Sequence, residues 1–240
     1  MIDGPTTRRT VLAALAGASL ARAAKPIRVL LVTGGHGHEP SFYSMFDALD
    51  GIDVNVEPHP AAFKSDPTRR YDVVALYDMT QYAEIDAPRR ANLQKFVESN
   101  KGIVILHHAV CSYNSWEWWW REVAGVRYLQ TPDGAQPAST YKHDELLRIR
   151  PVPAERAHPI LDGVGEMEFV DETYKRMWLA PSNKVLLTTD NPTSDGPVAW
   201  VSGYAKSRVV AIQPGHGRAA HMHPGFRRLV QNALRWTASR

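Results

Sequence analysis

The sequence predicts an α/β fold, a doubly wound three-layer sandwich around a mostly parallel central sheet. Three observations predict it. Apolar runs recur between turn residues, and Gly102-Ile103-Val104-Ile105-Leu106 is the most uniform of them. Runs of this kind, rich in β-branched residues, suit strands covered on both faces. Segments of helical spacing alternate with these runs through short connections, the pattern of a parallel sheet with crossover helices. Finally, several strand ends carry glycines and histidines, and open parallel sheets put their chemistry at the carboxyl ends of strands.

The chain has 240 residues, 44% apolar and 22% charged, enough for one sizeable domain. The body holds no unbroken apolar run long enough to span a membrane. The start is different. Thr6-Thr7-Arg8-Arg9-Thr10-Val11-Leu12 is a twin-arginine pair followed by an Ala-rich apolar run, and Ala21-Arg22-Ala23 offers small residues for cleavage. Residues 1–24 therefore read as a twin-arginine export signal and residues 25–240 as the folded domain, periplasmic or secreted. Cleavage removes three arginines and one aspartate, so 28 basic and 25 acidic residues become 25 and 24. A mature charge near +1 removes the main support for nucleic acid as a partner, and no membrane anchor is expected after cleavage. The single Cys111 excludes an internal disulfide.

In chain order, Ile27–Thr33 is the first strand. Gly34-Gly35-His36-Gly37-His38-Glu39-Pro40 follows, with Ser41 as the expected N-cap of a helix to about Leu49. The glycines allow tight turning, but the spacing is not a dinucleotide fingerprint, and no nucleotide cofactor is expected. Ile52–Val56 and Tyr71–Tyr77 read as strands, and residues 88–99 as a helix stopped by Asn100-Lys101-Gly102. The central strand ends at His107. Because alternate strand residues face opposite ways, only one of His107 and His108 should face the crevice unless the strand ends between them. Trp116, Trp118, Trp119 and Trp120 follow. Trp116 is the candidate for stacking on a sugar ring, although i, i+3, i+4 spacing also fits helix packing. Residues 124–145 read as a long loop of the lid or binding type. Strands near 145–150, 169–174, 185–188 and 198–202 suggest an antiparallel extension. Arg208–Gln213, a Gly-His-Gly turn at His216, and a helix from about Pro224 to Trp236 close the chain.

Ten histidines is a high count, and three of them stand at strand ends. If His38, His107 and His216 lie side by side, they suit a divalent metal, zinc or similar, or general acid–base work near neutral pH.

The ordered set Val-Thr-Gly-Gly-(x)3-His38-Glu39, Ile-Val-Ile-Leu-His107, His158-Pro159-Ile160, Asp171-Glu172-(x)-Tyr174 and Gln213-Pro214-Gly215-His216 resembles the trehalose-utilisation (ThuA-like) family. Pro224-Gly225-Phe226-Arg227-Arg228 through Leu234-Arg235-Trp236 completes the pattern from about Lys25 to the end. The resemblance implies a class I glutamine amidotransferase-like, flavodoxin-like fold. In amidotransferases the turn after the central strand carries a cysteine nucleophile. Here it carries His107, and Cys111 comes several residues late, so glutaminase chemistry is not implied. What is implied is sugar catabolism, including disaccharides oxidised at C3, with His38, His107, Glu172 and His216 at the site.

The reading assigns His107, Glu172 and His216 to catalysis, His38, Trp116 and Tyr174 to substrate binding, and His38, His107 and His216 to a metal. Glu172 and Tyr174 share one face of a strand. The expected partner is a small carbohydrate, and an oligomer is compatible with the sequence. The expected activity is isomerisation of, or elimination from, a 3-keto-glycoside. Two other functions compete. One is non-catalytic sugar binding through the tryptophans. The other is a Cys111 hydrolase with a histidine base.

Overall fold

A computed structural model describes Met1 and residues 25–80 and 85–239. The export signal therefore lies outside the described residues, apart from Met1. Among the described residues eleven strands form, here β1 (Ile27–Gly34), β2 (Ile52–Pro58), β3 (Val73–Asp78), β4 (Gly102–Leu106), β5 (Val126–Arg127), β6 (Thr140–Pro151), β7 (Met167–Lys175), β8 (Trp178–Leu179), β9 (Lys184–Thr189), β10 (Pro197–Val201) and β11 (Val209–Ile212). The helices are α1 (Ala87–Glu98), α2 (Arg218–Met222) and α3 (Pro224–Ala238). Nine strands make one sheet in the order β2-β1-β3-β4-β11-β10-β9-β6-β7, and β5 pairs with β8. From β2 to β11 the pairing is parallel, and from β11 to β7 it is antiparallel. The predicted α/β sandwich and its antiparallel extension are both present.

The strand alternation assigns each face its cover. Val29, Leu31, Val104, Leu106 and Val210 pack toward Phe226, Leu229, Ala233 and Leu234 of α3. Leu30, Val32, Ile103, Ile105 and Ala211 pack toward Leu93, Phe96 and Val97 of α1 and toward Trp119 and Val123. Strands buried on both faces must be apolar at every position, and β3 and β4 are nearly so, Asp78 at the end of β3 excepted. Gly102 lets α3 come close, because a Cβ there would lie 2.7 Å from the Thr237 backbone. Asp86 caps α1 by accepting from Arg89 N at 3.0 Å, and His223 caps α3 by accepting from Gly225 N at 3.1 Å.

Two expectations are corrected. The helix after His38 is a short 3-10 segment, Pro40–Phe46, and Ser41 does not cap it. Its hydroxyl instead meets His221 Nδ1 at 2.9 Å. The 124–145 segment is not all loop, because β6 begins at Thr140. The tryptophan segment forms a π-helical turn, Trp118–Ala124, with Trp119 and Trp120 buried.

Candidate functional site

β4 ends at Leu106, and His107 then turns the chain with φ +48°. Left-handed backbone is costly for a side chain larger than glycine, so this is a strained elbow. It also removes the strand alternation at that point. His107 and His108 both line one cavity of about 570 Å³, within the ordinary range of small-molecule sites.

His107 Nδ1 donates to the Gln213 carbonyl at 2.9 Å. A carbonyl has no proton to give, so Nδ1 carries the hydrogen and Nε2 is the nitrogen turned toward Glu172 and His216. Nε2 lies 3.2 Å from His216 Nδ1 and 3.1 Å from Glu172 Oε2, and His216 Nδ1 lies 3.4 Å from that same oxygen. Among the described residues this is the one group of three metal-ligating side chains whose donor atoms all lie within 4.8 Å of one another. Donors about 2.1 Å from a tetrahedral ion stand about 3.4 Å apart, so these separations fit one ion. The carbonyl on Nδ1 is the outer partner that a metal-bound histidine commonly has. Without an ion, the same spacing holds an imidazolium–carboxylate cluster.

β7 supplies Glu172 and Tyr174 on one face, and Tyr174 OH donates to Glu172 Oε2 at 2.9 Å. Burial raises the Glu172 pKa, but hydrogen bonds with His107 and His216 outweigh it and hold the carboxyl well below the usual range. The bond to Glu172 raises His216, against a smaller effect of burial. Burial and nearby acidic groups push Tyr174 up. Asp171, on the opposite face, is a positioning residue. Its Oδ1 accepts Glu172 N at 2.7 Å and His216 N at 2.9 Å, and Oδ2 accepts Gly215 N at 2.9 Å. The Gly215 carbonyl accepts from Tyr77 OH and His221 Nε2, each at 2.9 Å. The peptide before His216 is thus held at both ends. Gln213 adds a tie from its Nε2 to the Glu172 carbonyl at 3.0 Å.

β7 meets His107 even though β11, β10, β9 and β6 separate it from β4 in the sheet. Only Ile149–Pro151 of β6 pair with β9. The rest of the β6–β7 hairpin is free to arch back over the strand ends.

The structure thus brings together His107, Glu172, His216 and Tyr174. It does not bring His38 to them. His38 Nε2 contacts Tyr43 OH at 3.0 Å, and its ring packs against Phe42 and Tyr77. Glu172, not His38, completes the candidate metal trio. The left-handed Gly34-Gly35 turn presents His36 to the cavity instead, with its ring 5.1 Å from His108. Trp116 is also elsewhere, stacked on Trp119 at 6.0 Å with Arg90 over its face at 5.7 Å. No tryptophan is among the described residues lining the cavity, so sugar binding through that cluster has no platform there. Cys111 lines the cavity but is fully buried, and burial pushes its thiol up, which disfavours a thiolate nucleophile. Burial also pushes His108 down to about 2, so it stays neutral. Sequence reasoning missed Tyr141 and His143. Their i, i+2 spacing ahead of a recognised strand was the available signal.

The family model for trehalose utilisation, ThuA, matches residues 28–237. The chain belongs to the ThuA family. Membership gives it a carbohydrate-related role. A ThuA-like protein of Parabacteroides merdae ATCC 43184 is 20% identical, with TM-score 0.74 over 90% of this chain and 91% of that one. A ThuA-like protein of Bacteroides uniformis ATCC 8492 is 16% identical, with TM-score 0.68 over 91% and 94%. A GMP synthase subunit of Thermoplasma acidophilum, 14% identical, has TM-score 0.52 over 89% and 94%. At these identities the likeness shows the shared fold. No curated protein matches the sequence.

Proposed function

We propose that the protein is an exported enzyme of carbohydrate catabolism. It acts on a 3-keto-glycoside or related sugar by isomerisation or elimination, at a centre of His107, Glu172 and His216 suited to a divalent ion such as zinc. The observation that carries the reading is the donor trio, with separations of 3.1, 3.2 and 3.4 Å in the wall of a small-molecule cavity.

His107 Nε2, His216 Nδ1 and Glu172 Oε2 would hold the ion. Bound there, it would polarise a substrate carbonyl or hydroxyl. The chain's own groups supply the proton movement. Isomerisation and elimination both begin by removing a proton from the carbon beside a carbonyl. Glu172 is ionised at neutral pH, and its Oε1 lies on the His143 side, 3.5 Å from His143 Nδ1. That oxygen is the candidate base. Tyr174 OH steadies the other carboxylate oxygen and, with its pKa raised, stays protonated. The twin-arginine pair and the apolar run after it support export.

Metal analysis of the purified protein tests the reading, together with turnover of trehalose oxidised at C3. The expected result is about one divalent ion per chain, lost in His107→Ala along with turnover. A protein without metal whose His107→Ala variant turns over the oxidised disaccharide normally would overturn it.

A further inference from the structure

The pairing of β6 with β7 carries an irregularity that the rest of the hairpin depends on. Tyr141 pairs with Tyr174 and Lys142 with Thr173, yet Glu145 pairs with Asp171. Two residues, His143 and Asp144, therefore oppose the single Glu172. This is a β-bulge, and Asp144 takes its left-handed conformation at φ +58°. Aspartate is among the residues that tolerate that region best.

The bulge changes which face the odd-numbered residues of β6 occupy. Before it, Tyr141 and His143 line the cavity with Tyr174 and Glu172. After it, Leu147 and Ile149 are buried in the core on the opposite face with Phe169 and Met167. In an unbroken strand all four odd positions would share one face. A single inserted residue thus meets two demands, an apolar lower strand and an aromatic upper strand over the site. The bulge is braced from outside. Lys142 pairs with Glu145 across it at 2.5 Å, and Asn191 Nδ2 donates to Glu145 Oε2 at 3.1 Å and to the Leu146 carbonyl at 3.2 Å.

What the bulge presents is an aromatic surface open to solvent. Tyr141 is 58% exposed, and its ring stands 5.2 Å from His143 at 70°. His143 packs 4.9 Å from the His216 ring, with Nδ1 at 3.5 Å from Glu172 Oε1. An apolar ring face left wet beside a buried polar cluster matches a ligand with one apolar face and a rim of hydroxyls. A pyranose has that shape.

We propose that Tyr141 and His143 form the substrate-binding lip of the site. One ring of a carbohydrate stacks on Tyr141, and a ring hydroxyl hydrogen-bonds to His143. This rests on the carbohydrate reading above and adds the residues that select for the sugar. The lip is a contact surface separate from the donor trio, so its loss leaves metal content intact.

Calorimetric titration with trehalose and with its C3-oxidised form tests the lip, using wild type, Tyr141→Ala, Tyr141→Phe and His143→Ala, with metal content measured on each. The expected result is binding by wild type to at least one of the two sugars, weakened about tenfold in Tyr141→Ala and within about twofold of wild type in Tyr141→Phe. His143→Ala weakens it several-fold, and metal content is equal in all four. Wild-type binding with undiminished affinity in Tyr141→Ala overturns the lip and leaves the proposed function standing. Equal loss in Tyr141→Ala and Tyr141→Phe assigns the effect to the hydroxyl and overturns stacking. Binding of neither sugar by wild type overturns both proposals.

Discussion

Replacing Asp171 with asparagine tests how the His216 loop is held, because the side chain keeps its size and changes only charge and donor pattern. The carboxylate accepts three backbone N–H groups, two at Oδ1 and one at Oδ2, and is 4% exposed. With the amide oxygen kept at the Oδ1 position, the new NH2 group faces the Gly215 N–H, donor against donor. Leaving that buried donor unsatisfied costs about 1–3 kcal/mol. The two remaining bonds lose their charge-assisted character, which roughly halves each. The sum is about 3 kcal/mol, a fall in Tm of roughly 6–12 °C for a domain of this size. The loop that carries His216 loosens too, so zinc affinity should drop by about tenfold or more. Thermal unfolding of the metal-free protein and calorimetric zinc titration measure the two effects separately. A variant that melts within about 2 °C of wild type and binds zinc equally well would refute the clamp.

Three further outcomes are expected. Gly35→Ala would set a Cβ 2.1 Å from the Met79 carbonyl oxygen at a φ of +74°, so it should destabilise the protein by about 3 kcal/mol or more by denaturant titration. Burial raises the Asp72 pKa, but Arg28 at 3.0 Å and Lys101 at 3.2 Å outweigh it and depress the folded value. Its stabilisation is therefore complete above the unfolded value of about 4 and is lost as pH falls below that. Asp72→Asn should flatten the acid limb of the stability profile and leave a constant deficit of about 1–2 kcal/mol at neutral pH. Cys111 is buried and its thiol is pushed up, so a chromogenic disulfide reagent should modify it only as fast as the protein unfolds. Rapid labelling of the native protein would reopen a thiol mechanism.

Much of the fold was legible because β1, β3, β4 and β11 are largely buried on both faces and must be apolar through their central residues. His107 and His216 were legible because each follows an apolar strand beside a recognisable turn, and Glu172 and Tyr174 because the family resemblance marks their segment. Tyr141 and His143 were not, because the Asp144 bulge breaks the alternation that marks a strand, and the residues before it read as loop. His38 was preferred to His36 because a helix was expected to start at Ser41. The 3-10 turn from Pro40 instead buries Phe42 at 0% exposure and draws His38 into its aromatic cluster. The tryptophan cluster stayed open to two readings for a simpler reason. Its composition suits stacking on sugar as well as on neighbouring rings, and only the packing of Trp116 against Trp119 distinguishes the two.

The elbow at His107 separates the mount from what is mounted. Its left-handed backbone stands where β4 stops, and Gly215 comes close enough that an added Cβ would touch the His107 Cβ at 3.5 Å. Neither depends on the imidazole. The turn can therefore carry a different side chain while the neighbouring strands stay where they are, and what it carries decides whether Glu172 and His216 have a third donor beside them.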